Sequence, residues 1–183
     1  MPSRNIIKTY VPNGFYHIYN RGVEKRDIFQ SKVDYIFFLK TLKKSIDKSN
    51  VSVLCYCLMP NHFHLLIKQS DRRDITKLMR VLGSKYTTYF NYKYERVGRL
   101  FQGTYKARLI KTDEDLLNIS SYIHNNPGRI GLNPKTYEYS SLKLYIGKAA
   151  SDWTNTRTIK SYCNIEQYND FVVRTRDFEV ALG

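Results

Sequence analysis

Two runs of strand-forming residues stand back to back in this chain, separated only by Pro60-Asn61. Val51 to Met59 is apolar at nearly every position, and His62 to Lys68 reads His-Phe-His-Leu-Leu-Ile-Lys. A Pro-Asn pair makes a tight turn, so the two runs are expected to fold as an antiparallel hairpin. Because Val51 to Met59 is apolar on both faces, it is expected to lie centrally in its sheet. Such a sheet must be buried by helices, and helical patterns flank the hairpin on both sides.

Upstream, Phe15-Tyr16-His17-Ile18-Tyr19-Asn20 starts after Pro12-Asn13-Gly14 and stops at Gly22, which predicts a first strand. Ser31 can cap a helix running to about Lys48, with Tyr35, Phe38, Leu39, Leu42 and Ile46 on one side. Downstream, Asp74 opens a long helix whose Ile75, Leu78, Met79, Leu82, Tyr86, Tyr89 and Phe90 share a stripe, and it ends before Gly98. Tyr105 to Ile110 predicts a fourth strand. Thr112-Asp113-Glu114-Asp115 is a capping box, with Asp115 reaching back. The helix it opens is expected to end at Asn126, because Pro127 disfavours α geometry at the preceding residue.

This order is α+β: the ferredoxin-like, RRM-like split βαβ plan, with one antiparallel sheet, helices on one face and an extra helix carrying Tyr122. The other sheet face is then open to a partner. Residues 1–147 are expected to form the main domain. Beyond Gly147 the composition loosens at Ala149, Ala150 and Ser151, so 148–183 reads as a C-terminal appendage. Within it, Trp153, Arg157, Lys160, Tyr168, Phe171 and Arg174 suit either packing back on the domain or gripping nucleic acid.

Charge narrows the partner. Thirty Lys and Arg against sixteen Asp and Glu give +14, a balance that draws polyanions. Sixteen tyrosines and nine phenylalanines offer rings for base stacking, which favours single-stranded or looped nucleic acid over plain duplex. The longest apolar run is far short of the roughly 18 residues a spanning helix needs, so no membrane role is expected. Met1 to Tyr10 has no apolar signal core, and Cys55, Cys57 and Cys163 are too few for a disulfide framework. A reduced, cytoplasmic and nucleoid-associated protein is the expectation.

The third strand carries the first candidate site. Alternation puts His62, His64, Leu66 and Lys68 on one face and Phe63, Leu65 and Ile67 on the other. Residues two apart in a strand have α-carbons about 6.5–7 Å apart, which lets both imidazoles converge on one ion. Alone, H-x-H is a weak signal, since alternating polar residues on a half-exposed strand produce it by chance. No third His or Cys lies nearby to close a zinc site, which favours an open site for Mg²⁺ or Mn²⁺. On the capped helix, Asp115, Asn118, Tyr122 and Asn126 form a polar stripe beside Leu116, Ile119 and Ile123. Periodicity alone assigns Tyr122 to covering the core edge.

Taken together the motifs are far more specific. Leu58-Met59-Pro60-Asn61-His62-Phe63-His64-Leu65-Leu66-Ile67 resembles the M-P-N-H-hydrophobic-H-L-L motif of single-tyrosine HUH transposases, especially the REP-associated, IS200-like branch. Tyr16 to Gly22 is similar to the first-strand YHV-x-x-RG element, with Asp27-Ile28-Phe29 after it. Met79-Arg80 through Tyr89-Phe90-Asn91, Gly98 through Ala107, Tyr122 through Arg129 and Tyr137 through Gly147 resemble further elements in the family's order. Thr104, Gly128 and Tyr139 replace the arginine, valine and tryptophan that are usual there. The likeness spans about residues 12–147.

The resemblance implies that His62 and His64 bind the metal, that Tyr122 is the nucleophile, and that Asn126 supplies the third ligand where related enzymes use glutamine. It implies a metal-dependent transposase that nicks and rejoins single-stranded DNA through a 5′-phosphotyrosine, recognises hairpin-containing ends and needs no nucleotide cofactor. In the family the helix bearing the tyrosine can be exchanged within a homodimer. Lys68, Lys85, Lys93, Arg96, Arg99, Lys106, Arg108 and Arg129 are candidate DNA contacts. Two other classes stay open: an HUH replication initiator or relaxase, and a non-catalytic nucleic-acid-binding module.

Overall fold

The computed structural model describes residues 10–174. Its sheet has four antiparallel strands in the order β2-β3-β1-β4: β1 is Phe15–Arg21, β2 Val51–Met59, β3 His62–Gln69 and β4 Lys106–Ile110. With α1 (Lys32–Ile46) and α2 (Asp74–Lys93) inserted between strands, this is the split βαβ plan that the element order predicts. The Pro60-Asn61 turn pairs Met59 directly with His62. Strand alternation then sends Phe63, Leu65 and Ile67 into a core with Ile18, Phe38, Leu42, Leu78, Leu82 and Tyr86, beneath α1 and α2.

The opposite face is not open. Helix α3 (Asp113–Asn125) lies across it, and Leu116, Ile119 and Ile123 bury against Cys55, Cys57, Met59 and Leu66. Short helices α4 (Leu142–Tyr145) and α5 (Arg157–Lys160), then α6 (Ile165–Arg174), enlarge the same cluster through Leu142, Tyr145, Ile159, Tyr168 and Val172. The tail therefore contributes core residues to this face. His124 ties it down, with Nδ1 2.7 Å from the Tyr168 hydroxyl and Nε2 2.8 Å from Ser141 Oγ. Trp153 stacks on Tyr56. Residues 1–9 and 175–183, and the side chains of Val173 and Arg174, lie outside the described residues.

Strand β2 lies at the sheet edge rather than its centre, although both its faces are buried. Its sequence reads as central because two cores sandwich it and its outer edge is covered by chain. Leu58 N donates to Tyr139 O, Ser141 N to Tyr56 O and Asn155 N to Val53 O, so three backbone groups that an edge would leave unpaired are satisfied.

Two helix starts follow their capping residues. At α1, Asp34 accepts from Ser31 N and Gln30 N, both at 2.8 Å. At α3, Thr112 Oγ1 accepts from Asp115 N at 3.1 Å, but the Asp115 carboxylate pairs with Arg108 instead of reaching back. The α-helical stretch ends at Asn125. Asn126 stays in the right-handed helical region despite Pro127, and the chain tightens into a 3-10 turn over Asn126–Ile130. Asn126 Nδ2 donates to Tyr122 O at 3.0 Å, which holds the amide against the helix end.

Candidate active site

Three elements converge where β3, β1 and the end of α3 meet. The antiparallel register sets Tyr19 opposite His64 and His17 opposite Leu66, so the β1 face carrying His17 and Tyr19 is the β3 face carrying His62 and His64. The His62 and His64 ring centres are 4.9 Å apart, and the Tyr122 ring sits edge-on to His64 at 5.5 Å. These three expected site residues therefore meet within a single chain. Asn126 joins them, with Oδ1 3.3 Å from His62 Nε2.

The amides beside His62 are fixed by their own hydrogen bonds. Asn61 Nδ2 donates to Lys25 O, which turns Asn61 Oδ1 toward His62 Nδ1 at 2.6 Å. Asn126 Nδ2 is likewise committed to Tyr122 O, so its Oδ1 faces His62 Nε2. Both nitrogens of His62 thus face oxygen acceptors, yet a neutral imidazole carries one proton. Burial, with the Arg21 guanidinium adding to it, holds His62 below the usual imidazole range against the opposing pull of Asn126. One proton therefore serves two contacts, at Asn61 Oδ1 and at Asn126 Oδ1. The nitrogen that does not carry it meets its oxygen lone pair to lone pair.

His64 adds an unsatisfied atom beside them. It is 2% exposed, and its Nε2 has no hydrogen-bond partner. Burial and the neighbouring His17, His62 and Arg129 push it well below the usual imidazole range, so it is neutral at physiological pH. Two cis ligands on a six-coordinate ion with roughly 2.1 Å bonds lie about 3 Å apart, close to the His62–Asn126 separation. Among the described residues no trio of His, Cys, Asp or Glu gathers to hold a metal. Two imidazoles and an amide oxygen remain, a donor set that fits Mg²⁺ or Mn²⁺ with positions left for other oxygens.

Tyr122 is 3% exposed, and the Arg129 guanidinium carbon lies 4.9 Å from its ring centre. Burial raises its phenol above the usual value, while Arg129 and the Asn126 amide pull it back. A phenol so placed needs positive charge beside it to attack as phenolate.

The basic candidates divide between the two faces. Lys68 lies over the Phe15 ring and Lys106 over Tyr19, on the face shared with Tyr122. Arg108, on the same face of β4, pairs with Asp115 at 2.9 Å. Arg129 roofs the tyrosine. Lys85, Lys93 and Arg96 belong to α2 and the turn after it, across the sheet, and Arg99 is exposed farther along that turn. Lys93 is committed to buried Asp34 at 2.6 Å, and Arg96 packs over Phe90.

Sequence reasoning left His17 outside the site. It is fully buried, stacks on Tyr19 with ring centres 4.9 Å apart, and sets Nε2 2.9 Å from His64 Nδ1. Only the antiparallel register, which a single sequence does not display, brings it there.

The family model described as "Transposase IS200 like" matches residues 10–126, from before β1 to Asn126. The chain belongs to that family. The transposase fold is shared at low identity with a REP-associated tyrosine transposase solved bound to a REP hairpin. That structure is 16% identical, with 82% of this chain and 93% of that one covered and a TM-score of 0.66. A Deinococcus radiodurans R1 protein, solved as a candidate transposase, is also 16% identical, with coverages of 64% and 94% and a TM-score of 0.46. No curated protein matches the sequence.

Proposed function

We propose that this IS200-like transposase nicks and rejoins single-stranded DNA at hairpin-bearing ends through a 5′-phosphotyrosine at Tyr122. One observation carries the reading: His62 Nε2 and Asn126 Oδ1 share a 3.3 Å contact, and the partnerless Nε2 of His64 stands with them beside the Tyr122 ring. The membership of the chain in a transposase family and the hairpin seen on the similar structure supply the substrate class.

In this reading His62, His64 and Asn126 hold Mg²⁺ or Mn²⁺, which would polarise a non-bridging oxygen of the scissile phosphate and stabilise charge developing there. The chain's own groups do the rest. Arg129, already above the Tyr122 ring, favours the phenolate and can take a phosphate oxygen of the incoming strand. Tyr122 Oη attacks phosphorus in line, its proton passes to solvent, and the 3′-oxygen leaves and is protonated. The energy of the phosphodiester is kept in the new Tyr–O–P bond, so a second 3′-hydroxyl can attack in reverse and join strands without ATP. Asn61 and the helix-end bond of Asn126 hold two of the donors in place throughout.

The DNA strand is expected along the β1–β4 side of this face, where Tyr19 offers a ring and Lys106, Arg108 and Lys68 offer cations. Lys85, Arg96 and Arg99 would serve only DNA that wraps to the other side.

The test is incubation of end-labelled hairpin oligonucleotides from the gene's own flanks with protein and Mn²⁺. Wild type should give a denaturation-resistant protein–DNA adduct and a free 3′-OH product, and Tyr122→Phe should give neither. An adduct from Tyr122→Phe, or none from wild type, contradicts the proposal.

A further inference from the structure

His17 is a buried ring with a single polar contact, and that contact is to a residue of the candidate metal site. Its Nε2 lies 2.9 Å from His64 Nδ1, while His17 Nδ1 and His64 Nε2 have no partners. One proton lies between the two rings, and its location decides what His64 can do. If His17 donates it, His64 carries its own proton on Nε2, and the nitrogen facing Asn126 has no lone pair to offer. If His64 donates it, Nε2 is bare and can ligate.

We propose that His17 is the hydrogen-bond acceptor that fixes His64 in the Nδ1–H tautomer, and so acts as a positioning residue for the metal site. The inference rests on the metal reading above and extends it to a residue outside the ligand set. Ligating histidines generally donate their second ring N–H to an acceptor that fixes tautomer and ring orientation. A carboxylate or carbonyl is the usual acceptor, but among the described residues His64 Nδ1 meets His17 Nε2 instead. His17 Nε2 fills the role, with its own proton on Nδ1. The ring cannot readily turn away: Tyr19 stacks on it at 4.9 Å and the Tyr122 ring packs against it at 5.9 Å. The arrangement also explains a fully buried histidine on a strand position that an aliphatic residue would fill without an unsatisfied nitrogen.

Two variants separate this role from simple packing. His17→Leu keeps volume and removes the acceptor, and His17→Gln restores an oxygen near the position of Nε2. Mn²⁺ binding to DNA-free protein, followed by the electron paramagnetic resonance signal of free Mn²⁺, should weaken 10–100-fold in His17→Leu. In His17→Gln it should recover to within about threefold. In parallel, ¹⁵N imidazole spectra of Mg²⁺-loaded wild type should show His64 protonated on Nδ1.

Unchanged Mn²⁺ affinity in His17→Leu, or a His64 proton on Nε2 in loaded wild type, overturns the role of His17 and leaves the metal reading standing. Failure of wild type itself to bind Mn²⁺ overturns both. Should His17→Leu not fold, the wild-type spectrum and the Gln variant still decide.

Discussion

Replacing Lys93 with methionine distinguishes a structural cation from a phosphate contact. The ammonium lies 2.6 Å from Asp34 Oδ1 and 2.7 Å from Ser31 Oγ, and Asp34 is fully buried. Burial by itself would raise the Asp34 carboxyl. Hydrogen bonds from Lys93, Tyr94, Tyr89 and the Gln30 amide outweigh it and bring the group from 3.8 down to about 2. That depression corresponds to about 2.5 kcal/mol at neutral pH, shared among all the donors.

Breaking a fully buried pair costs about 3–5 kcal/mol. Here two tyrosine hydroxyls and two backbone amides remain on Asp34, and the Lys93 side chain is 29% exposed. The loss is therefore nearer that of one charged hydrogen bond, about 2 kcal/mol, which lowers Tm by about 4–8 °C in a chain of this size. Because the folded pKa is depressed, the stabilisation is present above about pH 4 and is lost as pH falls through about 2. The gap between wild type and Lys93→Met should therefore close on acidification. Urea unfolding at pH 7 and at low pH measures it, with hairpin binding followed by fluorescence anisotropy across a salt series. An unchanged Tm, together with a log K–log salt slope shallower by about 0.7, would refute the reasoning and make Lys93 a DNA contact.

Tyr168→Phe removes the hydroxyl that meets His124 Nδ1 and Ser120 Oγ. It should cost about 1–3 kcal/mol in thermal melts while adduct formation at permissive temperature persists. Arg129→Gln takes away the cation that opposes burial at the Tyr122 phenol. The rise of nicking rate with pH should then move to higher pH in a Mn²⁺ rate profile, and no displacement would contradict that role. His62→Ala and His64→Ala should each abolish Mn²⁺ binding in calorimetry while leaving the far-ultraviolet circular dichroism of the fold unchanged.

Local pattern made much of this molecule legible. The Pro60-Asn61 hairpin, the alternation that places His62 and His64 together and the Ser31 and Thr112 helix starts all depend on neighbours within a few residues. So does the spacing of Tyr122 and Asn126, one helical turn apart. What stayed hidden depends on contacts across long stretches of chain. Strand β2 reads as central because its outer edge is covered from residues 139–141 and 154–155. The second sheet face reads as open because nothing near β3 announces that Ile159, Tyr168 and Val172 will return to cover it. His17 looks like an ordinary strand residue until β1 pairs with β3 in register. Lys93 looks like a surface cation until α1 brings Asp34 beneath it.

The most direct measurement is peptide mapping by mass spectrometry of the adduct formed between the protein, an end-labelled hairpin oligonucleotide and Mn²⁺. Sixteen tyrosines compete for the label, so the site is informative. The account predicts a 5′-phosphonucleotide on Tyr122 alone, absent from the His62→Ala protein. A label on another tyrosine, or a Tyr122 adduct that forms equally well without divalent metal, would contradict it.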